Sequence, residues 1–557
     1  MAFWTAVGLC LGSFLNVVIY RLPRYKSLRS PLWSACPSCE HRIRWYDNLP
    51  IASFISLGGK CRDCGAPIGT RYMVVEAAMA IVVLMLIDAF FIGQVRLGLS
   101  GSQFGLTDQF SYDWPLLTAH VILFACLISM AAIDLEHYWL DVRFTNLATI
   151  AGFVLHALWT PRHSVAWTRP SDTLAVMALF AMVGLGLTWI AFLLRPPADP
   201  DVAAEPEAEF LPSPADSPPA SSENDQDAGG DGHGGTSLRE VKEPAGAESG
   251  ETLPVEPTAA ASGLDVDYLT PPAEPLTPVD DAEFDEVGAS TDEPSGKPRT
   301  RFLGWALTTL LVALFALLLL TQLDMVTVGA AFRLGLPLAL FFVVIICEST
   351  VARPADREIV DAIFEERFGA RRMVLVELAN LLPAIALAVV GLWIMQGDAG
   401  LSGRFSDALH ASTRIWNVSL FREWAPLYGL ATAASGYVVA GALGWAVRII
   451  FTLILGKEAF GTGDIHVMAA AGCIAGWPVV VLGFFAAVLL ALLGVIISLP
   501  FKRARAIPLV PWLALGFLFA VVAYDAILGT TWGQNFTGAM DLLISKISQL
   551  LGVTAGA

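Results

Sequence analysis

The feature that most constrains this chain is a series of apolar runs, each about twenty residues long. They begin near Phe3, Met73, Pro115, Phe144, Thr173, Phe302, Val326, Met373 and Leu427, followed by a longer region from Val467 to Leu499 and a last run from Ile507 to Ile527. A helix of that length crosses the ~30 Å hydrocarbon core of a bilayer, and lipid admits no unpaired backbone, so the runs predict helices. Hydrophobic residues make up 55% of the 557, which excludes an ordinary soluble globular protein. The expected fold class is an all-α polytopic membrane protein of about 11–12 transmembrane helices, with a small cytoplasmic four-cysteine, zinc-ribbon-like loop and a long disordered acidic linker.

The formal charge of −17 is concentrated in one place, because residues 196–299 hold 25 Asp and Glu against 4 Lys and Arg. That segment is rich in Pro, Ala, Ser and Gly and poor in aromatics, so it cannot bury enough apolar surface to offset its conformational entropy. It reads as a solvated spacer, with an acidic docking tail for a basic partner as the other reading. The organisation expected is a first span at 1–20, the cysteine loop at 21–72, membrane helices at 73–195, the linker at 196–300, further inserted helices and loops at 301–425, membrane helices at 426–528 and a tail at 529–557. The first apolar stretch has no basic region before it and no small-residue cleavage site after it, so it reads as a retained span rather than a signal peptide.

The loop after the first span carries Arg21, Arg24, Lys26, Arg29, Arg42, Arg44, Lys60, Arg62 and Arg71, and basic loops stay in the cytoplasm. Counting spans from that anchor returns the ends near Asp134 and Asp464 to the same side. It also requires the region from Val467 to Leu499 to cross twice, broken at Gly476-Trp477-Pro478, so that Lys502, Arg503 and Arg505 lie inside. The loop 355–372, with Ile359, Ile363 and Phe364 at helical spacing between charges, reads as an interfacial helix or a partner-docking helix.

Asp134 ends an otherwise small and apolar span in SMAAIDLEHYWLD, and an ionisable group at such a place is a functional candidate. Asp464 follows Gly461 and Gly463 in GKEAFGTGDIHVMAAAG and precedes Ala469, Ala470, Ala471 and Gly472, small residues that let backbones pack closely. Two carboxylates in a partly dehydrated site do not both ionise readily, so one holds a proton while the other activates a water molecule. Solvated helix-end acids are the alternative, and Glu136, Asp141 and Glu458 compete for the same roles on spacing alone. Cys36, Cys39, Cys61 and Cys64 form two C-x-x-C knuckles separated by 21 residues, a spacing suited to four thiolates around a structural Zn²⁺ with no open coordination position. A reducing cytoplasm disfavours the alternative of disulfides.

GLCLGSFLNVVIYRLPR at Gly8–Arg24, CPSCEHRIRWYDNLPIASFISLGGKCRDCGAPIGTRYMVVE at Cys36–Glu76, IDLEHYWLD, GKEAFGTGDIHVMAAAG and IPLVPWLALG at Ile507–Gly516 together closely resemble the type IV prepilin peptidases, whose motifs occur in this order. They cover roughly the first 145 and last 130 residues. The resemblance implies an aspartic endopeptidase of the bacterial cytoplasmic (inner) membrane, active site and cysteine loop facing the cytoplasm. It would cut prepilins or secretion pseudopilins after a leader glycine and, with S-adenosylmethionine, N-methylate the exposed residue. It implies Asp134 and Asp464 as catalytic residues, Gly461, Gly463 and His466 as supporting ones, and the cysteines as part of the methylation-associated region. Membrane lipid is an expected partner and nucleic acid is not.

Three departures stand beside it. Asp141-Val142 occupies the place of the family's Pro-Asp, His466 that of its lysine, and the segment 196–425 is inserted between the two aspartates. Three readings remain alongside the first: an intramembrane aspartyl protease with other substrates, a degenerate family member serving as an assembly scaffold, and a transporter whose buried acids bind cations or relay protons.

Overall fold

The computed structural model describes residues 1–28, 33–92, 106–137, 140–159, 170–194, 309–310, 328–350, 370–397, 399–411, 425–456, 460–498 and 508–528, and a few of the tail. The linker at 196–300, almost all of the run from Phe302, the segment 355–369, Glu458, the cations Lys502, Arg503 and Arg505 and most of 529–557 lie outside these residues.

Helix α1 spans Ala2–Arg21 and is followed by the cysteine loop, which contains a short helix α2 at Ala52–Ser56. Then come α3 at Arg71–Ile87, extended by a π-turn at Asp88–Ile92, α4 at Leu106–His137, α5 at Val142–Leu158 and α6 at Asp172–Leu193. The inserted region contributes α7 at Val328–Thr350, α8 at Ala370–Gly397 and α9 at Ala399–His410. The chain closes with α10 at Pro426–Leu455, α11 at Thr462–Ala475, α12 at Trp477–Ser498 and α13 at Val510–Leu528. Seven of these are long and apolar enough to cross a membrane, and stretches of α5, α7 and α13 form three shorter apolar helices. The chain is a multi-pass membrane protein. The expected break after Val467 falls between α11 and α12, where Gly476 takes φ 89° and Pro478 sits in the first turn of α12, a position that tolerates proline's missing N–H.

Apolar side chains face two environments. Met79, Leu86, Leu123, Leu127, Trp512 and Phe517 pack into one interior cluster. Trp189, Leu382, Trp393, Phe485 and Leu489 remain exposed on α6, α8 and α12, as expected of surfaces that lipid covers. Burying apolar area drives little association between helices already in lipid, so the bundle relies on close packing of small residues. The crossing of α10 and α11 is the clearest instance: a Cβ on Gly436 would run into the Gly472 carbonyl, and one on Gly472 would meet Ala440 Cβ at 2.5 Å. The Ala-rich segment at Ala469–Gly472 is buried in that contact, so α11 is held by backbone approach.

Gly436→Ala should therefore lower the thermal midpoint in detergent, at a cost of about 1–3 kcal/mol for overpacking. Gly186→Ala on α6, where an added Cβ meets nothing within 4 Å, should leave it unchanged or raise it.

Candidate active site

One end of the bundle collects the chemistry. Asp134 lies in the last turn of α4, and Asp464 in the first turn of α11. Both side chains are buried, and the Asp134 charge acts on the Asp464 carboxyl. The backbone N–H of Val510, at the start of α13, donates to Asp134 Oδ2 at 3.3 Å, which fixes one face of that carboxylate. Asp464 Oδ1 is buried with no hydrogen-bond partner among the described residues, an orphaned acceptor of the kind that water or a substrate satisfies.

The glycines before Asp464 have separate jobs. Gly461 is the N-cap of α11, and a Cβ there would sit 3.1 Å from Asp464 Oδ2, so its bare backbone keeps the approach to the carboxylate open. Gly463 faces Leu140, whose Cδ1 lies 2.5 Å from where a Cβ would stand. His466 is exposed; two residues along a helix from Asp464, it turns to another face.

Two of the three competing acids, Glu136 and Asp141, are engaged elsewhere. Glu136 makes a two-oxygen ion pair with Arg71 of α3, at 2.7 and 2.6 Å. Asp141 caps α5, accepting from the Arg143 backbone N–H at 2.9 Å and pairing with its guanidinium at 2.6 Å. Glu136 also ties the site to the cysteine loop, since Arg71 opens α3 where the loop returns to the bundle. The loop is anchored again by Glu76, whose Oε2 accepts the Ile51 N–H at 2.8 Å.

The loop is built from two equivalent knuckles. Cys36–His41 and Cys61–Ala66 each fold back so that the first cysteine's N–H bonds the carbonyl five residues on, at 3.0 and 2.8 Å, and its carbonyl accepts the N–H four residues on, at 2.9 and 3.0 Å. Flanking bridges pair Ala35 with Arg42 and Lys60 with Pro67. The four sulfurs, all free thiols, lie within 4.8 Å of one another, with Cys36 and Cys64 at 3.9 Å. A metal with four sulfur ligands at ~2.3 Å sets a tetrahedral edge of about 3.8 Å, so the donor set fits. Backbone hydrogen bonds from Cys64 and Asp63 hold the Cys61 thiol down to about 7, while desolvation and the neighbouring thiols push Cys39 up to about 12. The fifth residue of each knuckle is left-handed: Gly65 at φ 74° and Glu40 at φ 56°.

Two contacts escaped the sequence reading. Val510 is 376 positions from Asp134, and no pattern within a helix reports such a pairing. Arg448, 2% exposed in α10, donates to the Phe460 carbonyl, one residue before Gly461. A cation in the apolar run RIIFTLIL was a visible signal for it.

Comparison with known proteins adds a family. The Bacterial Peptidase A24 N-terminal domain matches residues 6–90, which include all four loop cysteines. A prepilin leader peptidase/N-methyltransferase of Myxococcus xanthus is 36% identical over 153 residues, covering 28% of this chain and 39% of that protein. A type 4 prepilin-like proteins leader peptide-processing enzyme of Escherichia coli is 34% identical over 209 residues, covering 34% of this chain and 66% of that protein. A prepilin leader peptidase/N-methyltransferase of Vibrio cholerae is 44% identical over 86 residues, 14% of this chain and 34% of its own length. The chain thus spans between about a third and two thirds of these relatives. No solved structure matches.

The knuckle geometry makes a paired forecast. Glu40→Gly should relieve about 1 kcal/mol of left-handed backbone cost and Gly65→Ala should add a similar amount, read as stronger and weaker retention of metal against a chelator.

Proposed function

The chain belongs to the type IV prepilin peptidase family, and from that premise we propose that it is an aspartic endopeptidase of the bacterial cytoplasmic membrane that removes leader peptides from prepilins or pseudopilins. The observation that carries the reading is that two buried carboxylates, Asp134 and Asp464, stand on helices α4 and α11 that pack against each other, near enough for the charge of one to act on the other. On this reading the site opens to the cytoplasm, where the basic cysteine loop also lies.

The chemistry follows from holding like charges together. One aspartate keeps its proton and hydrogen-bonds the carbonyl oxygen of the scissile peptide, while the other, ionised, takes a proton from the attacking water. Water oxygen bonds to the carbonyl carbon, giving a tetrahedral intermediate. As it collapses, the C–N bond breaks and the amine leaves with a proton from the aspartate that had deprotonated the water. The Val510 N–H steadies Asp134 through this exchange, and the bare Gly461 leaves the extended substrate backbone room beside Asp464. In the resemblance His466 stands at the place of a lysine; exposed as it is, its proposed part is to support α11 from the outer face.

Cys36, Cys39, Cys61 and Cys64 would hold Zn²⁺, which with four thiolates staples the loop and leaves no position for substrate. N-methylation of the new amino terminus is the second activity proposed, resting on the names of the relatives. Its donor, S-adenosylmethionine, does not suit the cavity that α3, α4, α7 and α13 enclose. That cavity is about 170 Å³, smaller than the ~300–1,000 Å³ of cofactor sites, and its lining is mostly apolar, with Val75, Phe124 and Leu340 beside Thr70, Arg71 and Glu136.

Purified protein mixed with a prepilin from the same organism should release the leader, seen as product masses, and Asp464→Asn should leave the substrate whole. An uncut substrate with the wild type would move the reading to a scaffold, a transporter or a protease of other membrane proteins.

A further inference from the structure

The region inserted between the two aspartates is tied to the rest of the bundle by ion pairs. Arg333 of α7 meets Asp88 at 2.7 Å, away from the site. The second pair lies beside it: Glu377, on α8, faces Arg448 of α10, with Nε 3.0 and 3.2 Å from the two carboxylate oxygens and Nη2 2.9 Å from Oε1. Side-chain exposures are 2% for Arg448 and 11% for Glu377, so the pair is shielded from water. Met373, also on α8, brings its sulfur to 4.0 Å from Nη2.

A carboxylate that grips one edge of a guanidinium fixes the plane of the whole group. Here the remaining nitrogen, Nη1, is thereby aimed at the Phe460 carbonyl, to which it donates. Phe460 is itself buried, its ring edge-on to Phe484 of α12 at 5.9 Å, and its carbonyl carbon bonds to Gly461, the N-cap of α11. Three residues further on is Asp464. Leu455 ends α10 at a left-handed Gly456, so between that cap and α11 the Arg448 contact is a fixed point for the backbone entering the site.

We propose that Glu377 and Arg448 are positioning residues for proteolysis: α8 of the inserted region supplies the charge that orients Arg448, and Arg448 holds Phe460–Gly461 so that Asp464 faces Asp134. The proposal rests on the peptidase reading. Neither residue touches substrate. Their effect is on the separation of the two carboxylates, and a displacement of about 1 Å in reacting groups can cost about 100-fold in rate. The insertion thereby acquires a role in the reaction, although its helices carry neither aspartate.

Replacing a buried ion pair with apolar residues of similar volume often preserves stability, whereas removing one partner strands a charge. The discriminating variant is therefore the neutral pair Glu377→Leu with Arg448→Met, compared with Glu377→Gln alone and with wild type in leader cleavage and thermal midpoint. The neutral pair should recover the midpoint lost by Glu377→Gln and bind prepilin with KM within about threefold of wild type, yet have kcat lowered about 10- to 100-fold. Recovery of kcat together with the midpoint would make the pair a structural tie and overturn the proposal. Should the neutral pair fail to fold, Arg448→Lys decides: it keeps the charge against Glu377 and loses the fork, so kcat should fall with KM unchanged, and an unchanged kcat overturns the proposal. A wild type that leaves prepilin uncut overturns the peptidase reading and this proposal with it. A wild type that cuts beside a neutral pair that cuts equally fast overturns the positioning role alone.

Discussion

Two carboxylates repel, and a fold that holds Asp134 and Asp464 together in a buried place must offset that repulsion with packing elsewhere. The interaction doing so is the close crossing of α10 and α11, where Gly436 and Gly472 bring backbone against backbone. It fixes α11 along its length, so the first turn, with Asp464, has little freedom to retreat. On the facing side, the Val510 N–H and the interior cluster around Trp512 hold the end of α4 and the start of α13 in register. The placement of the two acids thus depends on helix contacts deep in the bundle.

The same end of the molecule gathers the cysteine loop. Arg71 joins the base of the loop to Glu136, two residues after Asp134. This pairing uses up an acid that would otherwise compete with the dyad, and it links the position of the loop to that of α4. On the proposed function, the ion pair shared by the four-cysteine loop and the end of α4 offers a physical basis for one chain handling a substrate's amino terminus both before and after the leader is removed.

Legibility in the sequence followed the range of the interaction. The cysteine knuckles could be read from spacing because their geometry is local, and the helix break at Gly476-Trp477-Pro478 because glycine and proline act on their own backbone. The apolar runs foretold the helices through length and composition alone. Which acid faces which partner could not be read in this way. Glu136 and Asp134 are both near the end of α4, and Arg71, 65 positions upstream of the first, and Val510, 376 downstream of the second, distinguish their surroundings. Asp141 looked like a motif acid and is a helix cap. Arg448 was conspicuous by type, yet its meaning depends on Glu377, 71 positions away in a segment that seemed a mere insertion.

Asp134 and Asp464 are proposed to work as one unit, which the cleavage rates of Asp134→Asn, Asp464→Asn and the double variant on a single prepilin would test. Groups acting as a unit are non-additive. The account predicts that each single change lowers kcat/KM by about 10²–10⁴-fold, and that the double variant is no slower than the slower single one. Losses that multiply, or an active single variant, would contradict a shared dyad.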